Sequence, residues 1–194
     1  CGYAWEIDDV SVEDMPADDI GIVPIFPSKY ADIPLSQVQP IPLNCRINNL
    51  GGSVETGVGF DAYVFEIHGG VPTLVLGPVA SSTQASLNPT DTTTTTLTAG
   101  NFTPTDTGVY AFMYIATMSA ADANGLNDTL LNFIIVDDST YAKDYTDIDG
   151  IINNALGFTT SAGKLANVFE VFAARTVTSV TFFLGASVLG DTVS

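Results

Sequence analysis

Along residues 41–48 the apolar positions Ile41, Leu43, Cys45 and Ile47 alternate with polar Asn44, Arg46 and Asn48. That period of two belongs to a strand with one buried face. Residues 20–26 predict an earlier strand, held at a sheet edge because Pro24 and Pro27 cannot donate to a ladder. Residues 60–67 are apolar on both faces, and Gly69-Gly70 turns the chain into a strand over 74–79. A strand over 92–102 includes five consecutive threonines, whose branched side chains suit an extended, solvent-facing strand. A strand within 106–116 leads through a polar loop at 122–128 to a last strand, for which Leu131, Phe133 and Ile135 are the expected inward face. Seven short strands punctuated by turns, with no convincing helix, predict an all-β sandwich over βαβ units.

The stretch from Asp106 to Ala116 carries the most specific pattern. Asp106 and Gly108 form a turn signal, Tyr110 follows, and Phe112 stands two positions further on. In an immunoglobulin-like sandwich a tyrosine at this offset sends its hydroxyl back to upstream backbone, and a cysteine often occupies the place held here by Phe112. Tyr110, Phe112 and Cys45 are therefore the expected structural anchors of an immunoglobulin-like β-sandwich.

The pattern divides the chain into four stretches. Residues 1–12 form one strand without a hairpin partner, with Tyr3, Trp5 and Ile7 on one face before Asp8, Asp9, Val10 and Val12. Residues 13–19 are acidic, contain Pro16 and read as a linker. The sandwich spans 20–138. Residues 139–194 contain a loop at 144–150 and strands over 167–173 and 177–184, too few for an independent domain, and read as the opening of a following β-domain.

Composition narrows the partners. The 194-residue chain has five Lys plus Arg against 22 Asp plus Glu, a net charge of −17, so a phosphate backbone would be repelled and nucleic-acid binding is excluded. No run of eighteen apolar residues is present, so no helix inserts into a membrane. The acidic excess serves solvation or Ca²⁺. Two cysteines, 44 positions apart, make neither a metal quartet nor a disulfide scaffold. Cys45 reads as a buried thiol, with a Cys1–Cys45 bridge the less favoured reading. The chain opens at Cys1 without an initiator Met, which points to processing or truncation upstream.

The residues give no support for an enzyme. His68, the sole histidine, sits at the Gly69-Gly70 turn without a second base or a metal partner, and Gly185-Ala-Ser187 lacks the glycine of a nucleophile elbow. Adjacent carboxylates such as Asp8-Asp9 point to opposite faces of a strand, which prevents paired acid–base work. Candidate Ca²⁺ ligands are Asp144, Asp147 and Asp149 before Gly150, and the Asp8-Asp9 pair; the alternative for both groups is solvated charge. Trp5, Tyr63 and Tyr114 are the candidate platform for a sugar ring, although each also fits an inward face.

Three segments carry a family resemblance. Residues 3–12 resemble the last strand of the MAM-like jelly-roll domains of large secreted Bacteroidota proteins. The middle resembles the CARDB-like, immunoglobulin-type modules that follow them, in Ile41-Pro-Leu-Asn-Cys-Arg-Ile-Asn-Asn-Leu-Gly51, in Phe102-Thr-Pro-Thr-Asp-Thr-Gly-Val-Tyr110 and in Asn127-Asp-Thr129. Residues 138–144, 166–171 and 177–180 are similar to the start of the next jelly-roll domain. The resemblance implies type IX secretion cargo, secreted or on the cell surface, with an adhesive, structural or filament-forming role and no catalysis; a carbohydrate-binding accessory module of a secreted hydrolase is the alternative. It implies as partners other protein modules or copies of the same chain joined by strand addition, and surface glycans. Asp-Thr or Asp-Ser before a small or aliphatic residue resembles the O-glycosylation motif of Bacteroidota surface proteins, at Thr92, Thr129, Ser139 and Thr192, although so short a motif also recurs by chance.

Overall fold

The computed structural model describes residues 14–23, 25, 28–93, 96–143 and 168–180. Nine strands are found there: β1 (Ile20–Val23), β2 (Asp32–Pro34), β3 (Ile41–Asn49), β4 (Glu55–His68), β5 (Val71–Ala80), β6 (Gln84–Leu87), β7 (Leu97–Phe102), β8 (Gly108–Thr117) and β9 (Thr129–Asp137). The one helical element among the described residues is a single 3-10 turn, Leu35–Gln37.

The strands form two sheets. The smaller is ordered β1-β3-β7, and the larger β2-β9-β8-β4-β5, with β6 paired to the start of β4. Neighbours are antiparallel except β2, which runs parallel to β9. The chain therefore crosses from the small sheet to the far edge of the large one between β1 and β2, and it is an all-β, immunoglobulin-like sandwich. Ile20, Leu43, Cys45, Ile47 and Leu97 of the small sheet meet Val58, Phe60, Val64, Phe112, Tyr114, Ile134 and Val136 of the large one in one continuous core. The alternation over 41–48 is what places β3 at its centre: all four of its predicted apolar positions are buried.

Four expectations are corrected. Nine strands replace seven, because β2 and β6 are three and four residues long and are defined by their partners, with no alternation of their own to announce them. Among the described residues the first strand covers Ile20–Val23, and Ile25 is in no strand. The threonine tract does not open a solvent-facing strand at 92: β7 begins at Leu97, Thr92 makes an isolated bridge to Asn48, and Thr93 is fully buried, accepting from the Ile47 N–H and giving its carbonyl to Arg46.

The fourth correction concerns the face of β9. Ile134 and Val136 are buried in the core, whereas Leu131 is 48% and Ile135 41% exposed, so Leu131, Phe133 and Ile135 point outward. Residues 130, 131, 133, 134, 135 and 136 are all apolar, and only Asn132 breaks the run. The polar residue suggests an outward position, but it lies on the core side of the sheet, opposite Phe112, where its amide donates to the Ile25 carbonyl at 3.1 Å.

Residues 14–19, read as a linker, are in part bound to the sandwich. The carbonyls of Pro16, Ala17 and Asp19 accept from Gly52, Ser53, Leu50 and Gly51. At the other end of the chain, residues 168–175 lie against residues 28–37. Gln37 is fully buried, its Oε1 accepting from the N–H groups of Phe172 (2.8 Å) and Ala173 (2.9 Å) while its Nε2 donates to the Ala173 carbonyl at 2.8 Å. Phe169 stacks on Tyr30 with ring centroids 6.0 Å apart.

Candidate functional site

Three regions hold the polar chemistry and the open surface of the sandwich. At one end, the corner before β8 is pinned by Tyr110. The ring is buried, its hydroxyl lies 2.9 Å from the Asp106 carbonyl and 3.1 Å from Glu66 Oε1, and the same carboxylate oxygen pairs with His68 Nε2 at 2.9 Å. Burial and the Glu66 carboxylate push the Tyr110 phenol up to about 12. This is a packed corner, in which the imidazole is paired with the carboxylate that also holds the Tyr110 hydroxyl.

The opposite end collects acids from three separate segments. Asp18 and Asp19 precede β1, Glu55 opens β4, and Asp122, Asn127 and Asp128 belong to the connection between β8 and β9. Asp122 accepts from the Ile20 N–H at 2.9 Å and the Asn124 N–H, and Asn127 Nδ2 donates to Asp19 Oδ1 at 2.9 Å. Burial raises Glu55, reinforced by the Asp18 and Asp122 charges and by a side-chain hydrogen bond with Asp18, and burial together with Asp122 and Asp19 pushes Asp128 up to about 6. Three buried oxygens here, Glu55 Oε1, Asn127 Oδ1 and Asp128 Oδ1, receive no hydrogen bond.

The third region is the outer face of the large sheet. Pairing sets Leu74 beside Phe65, Ala111 and Phe133 in one row, Tyr63 beside Met113 and Leu131 in a second, and Ile67 beside Val109 and Ile135 in a third. Tyr63 and Phe65 are stacked, with ring centroids 6.5 Å apart and planes inclined by 15°. The face ends at the edge strand β5, where Leu74 and Val75 are exposed and Pro72 and Pro78 remove backbone donors.

The residues singled out from sequence fall in scattered places. Cys45 is a free, fully buried thiol that donates to the Arg46 carbonyl, and desolvation pushes it up to about 12. Phe112 is fully buried, edge-on to Phe102. Tyr114 is fully buried as well and packs on Phe60, which removes it from any sugar platform. Thr92 has its hydroxyl bonded to the Asn48 side chain, while Thr129 and Ser139 are exposed. Trp5, Asp8, Asp9, Asp144, Asp147, Asp149 and Thr192 lie outside the described residues. Sequence reasoning missed the acidic end, whose only linear signals are the pairs Asp18-Asp19 and Asn127-Asp128; Glu55 reads as an isolated acid.

No protein-family model matches the chain, and no curated protein matches it. Among the solved structures similar to it are two of one CARDB domain. One is a crystal structure of a CARDB domain from Pyrococcus furiosus in complex with di-metal ions, 18% identical, covering 68% of this chain and 99% of that one, with a TM-score of 0.43. The other is a solution NMR structure of the same domain, 19% identical, covering 66% of this chain and 100% of that one, with a TM-score of 0.42.

Proposed function

We propose that the chain is a non-catalytic structural and interaction module of a secreted or cell-surface bacterial protein, and that it holds a neighbouring protein module against the outer face of its large sheet. The observation that supports this reading is the composition of that face. In these three rows nine outward positions on β4, β8 and β9 are apolar in a chain of net charge −17, and Leu131 and Ile135 are open to solvent. An apolar patch of this kind on an otherwise acidic surface marks a contact with protein. The face is the larger opportunity, because strand addition at β5 is confined to the stretch between Pro72 and Pro78.

The test is solution behaviour. The chain should self-associate with rising concentration in light scattering, or bind a hydrophobic dye, and the double variant Leu131→Lys, Ile135→Lys should lose both while keeping its melting temperature. A monomer that is silent to the dye would refute this role for the face. The stacked Tyr63 and Phe65 support a second reading, a planar platform for a sugar ring. Retention on insoluble polysaccharide that disappears in Tyr63→Ala would favour it.

A further inference from the structure

Five cationic side chains serve the whole chain: Lys29, Arg46, Lys143, Lys164 and Arg175. Three of them gather on the flank where residues 168–175 lie against residues 28–37. Lys29 and Lys143 line a cleft of about 770 Å³ there, and Arg175 is bonded to Ser36 Oγ in the turn beside it. That volume is in the range of ligand clefts, roughly 300–1,000 Å³. Glu170 is the one carboxylate among the lining residues, so the cleft is positive within a molecule of net charge −17.

The two lysines are held differently. Lys29 pairs with Glu170 at 3.0 Å in a contact open to water, which an incoming carboxylate can replace at little cost. Lys143 Nζ lies over two rings, 5.6 Å from the Tyr30 centroid and 5.3 Å from that of Phe169, and no carboxylate pairs with it among the described residues. Tyr141 packs edge-on against both of those rings, so the ammonium is positioned before any ligand arrives.

The rest of the lining is mostly apolar. Tyr30, Ile33 and Ile41 are buried and make the floor, whereas Phe172, Pro40 and Pro42 are exposed. Neither proline has an N–H, so an added strand finds no donors at these positions and recognition falls to side chains. Of the neutral polar groups, Ser28 Oγ already accepts from the Tyr30 N–H, and Gln39 Nε2 donates to the Val38 carbonyl. A sugar would therefore find few partners for its hydroxyls, and nucleic acid or an anionic membrane is repelled by the charge of the molecule. We propose that this cleft binds an acidic peptide of a partner protein, seating an aromatic or aliphatic side chain against Phe172 and the prolines and a neighbouring carboxylate on Lys143 and Lys29. The cleft shares no residue with the outer face of the large sheet and stands whatever docks there.

The test is an NMR titration of the whole chain with a capped tetrapeptide that alternates aspartate and phenylalanine. Amide shifts should saturate with a Kd below about 1 mM, fall within residues 28–42, 143 and 168–175, and weaken as NaCl is raised. Lys143→Gln and Phe172→Ala should each weaken binding on the order of tenfold. Phe172→Ala keeps the N–H that Gln37 holds, so the flank stays assembled in that variant. Asparagine in place of aspartate in the peptide should weaken binding to a similar degree. No saturable shifts, equal binding of the asparagine peptide, or binding that survives in both variants would overturn the proposal. So would digalacturonate moving the same amides at lower concentration than the peptide, which would give the cleft to acidic sugars instead. Should Lys143→Gln fail to fold, Phe172→Ala and the asparagine peptide carry the decision.

Discussion

Asp32 is placed against its own charge. Its Oδ1 is buried without a hydrogen-bond partner, and burial together with the nearby Asp137 carboxylate pushes its carboxyl up to about 6. A carboxyl whose folded-state value is raised binds its proton more tightly when folded, so its cost is absent below the unfolded value near 4 and complete above about pH 6. Asp32→Asn should therefore stabilise the chain at pH 7 by on the order of 1 kcal/mol, and the gain should vanish below about pH 4 when urea midpoints are compared across pH. Single residues are legible in the sequence when a local rule fixes them. Cys45 follows from the alternation around it, and Tyr110 from its offset to Asp106 and Gly108. Glu55 and Asp128 follow no local rule, because what defines them is each other's neighbourhood, assembled from segments some seventy residues apart.

At the scale of the element, β3 and β9 show where pattern succeeds and where it fails. β3 alternates cleanly and its facing is readable. β9 is apolar on both faces, so nothing in its own sequence says which side meets the small sheet; the pairing of Ile134 with Tyr110, whose ring points inward, decides it. The difference is measurable. Ile134→Ala should cost about 3 kcal/mol in chemical unfolding and Leu131→Ala under about 1 kcal/mol. The opposite order would restore the facing first read from the sequence. The short strands β2 and β6 were illegible for a related reason: three or four residues become a strand only when β9 and β4 offer them an edge.

At the scale of the molecule, polar chemistry is divided between the two ends of the sandwich and apolar surface lies on one flank, a division that the linear order of residues conceals. Residues 168–175, which the sequence assigns to a following domain, lie against residues 28–37, with Arg175 bonded to Ser36 Oγ and Lys29 to Glu170. Gln37 is the inner fastening. Gln37→Leu keeps its bulk but leaves the Phe172 and Ala173 N–H groups unmet, so tryptic cleavage after Arg175 should accelerate several-fold in that variant. Unchanged cleavage would reduce the contact to passive packing.

The Gln37 carboxamide touches only main chain: two N–H groups and one carbonyl. Phe172, whose N–H it holds, leaves 48% of its own surface in water. A fastening of this kind is indifferent to spelling. Descendants of this chain can rewrite positions 172 and 173 almost freely and stay latched, since every residue but one brings the same N–H; proline alone is forbidden. A saturation library over these two positions should be flat apart from that single letter, whereas Phe169, which is held by its ring against Tyr30, should tolerate little beyond other aromatics.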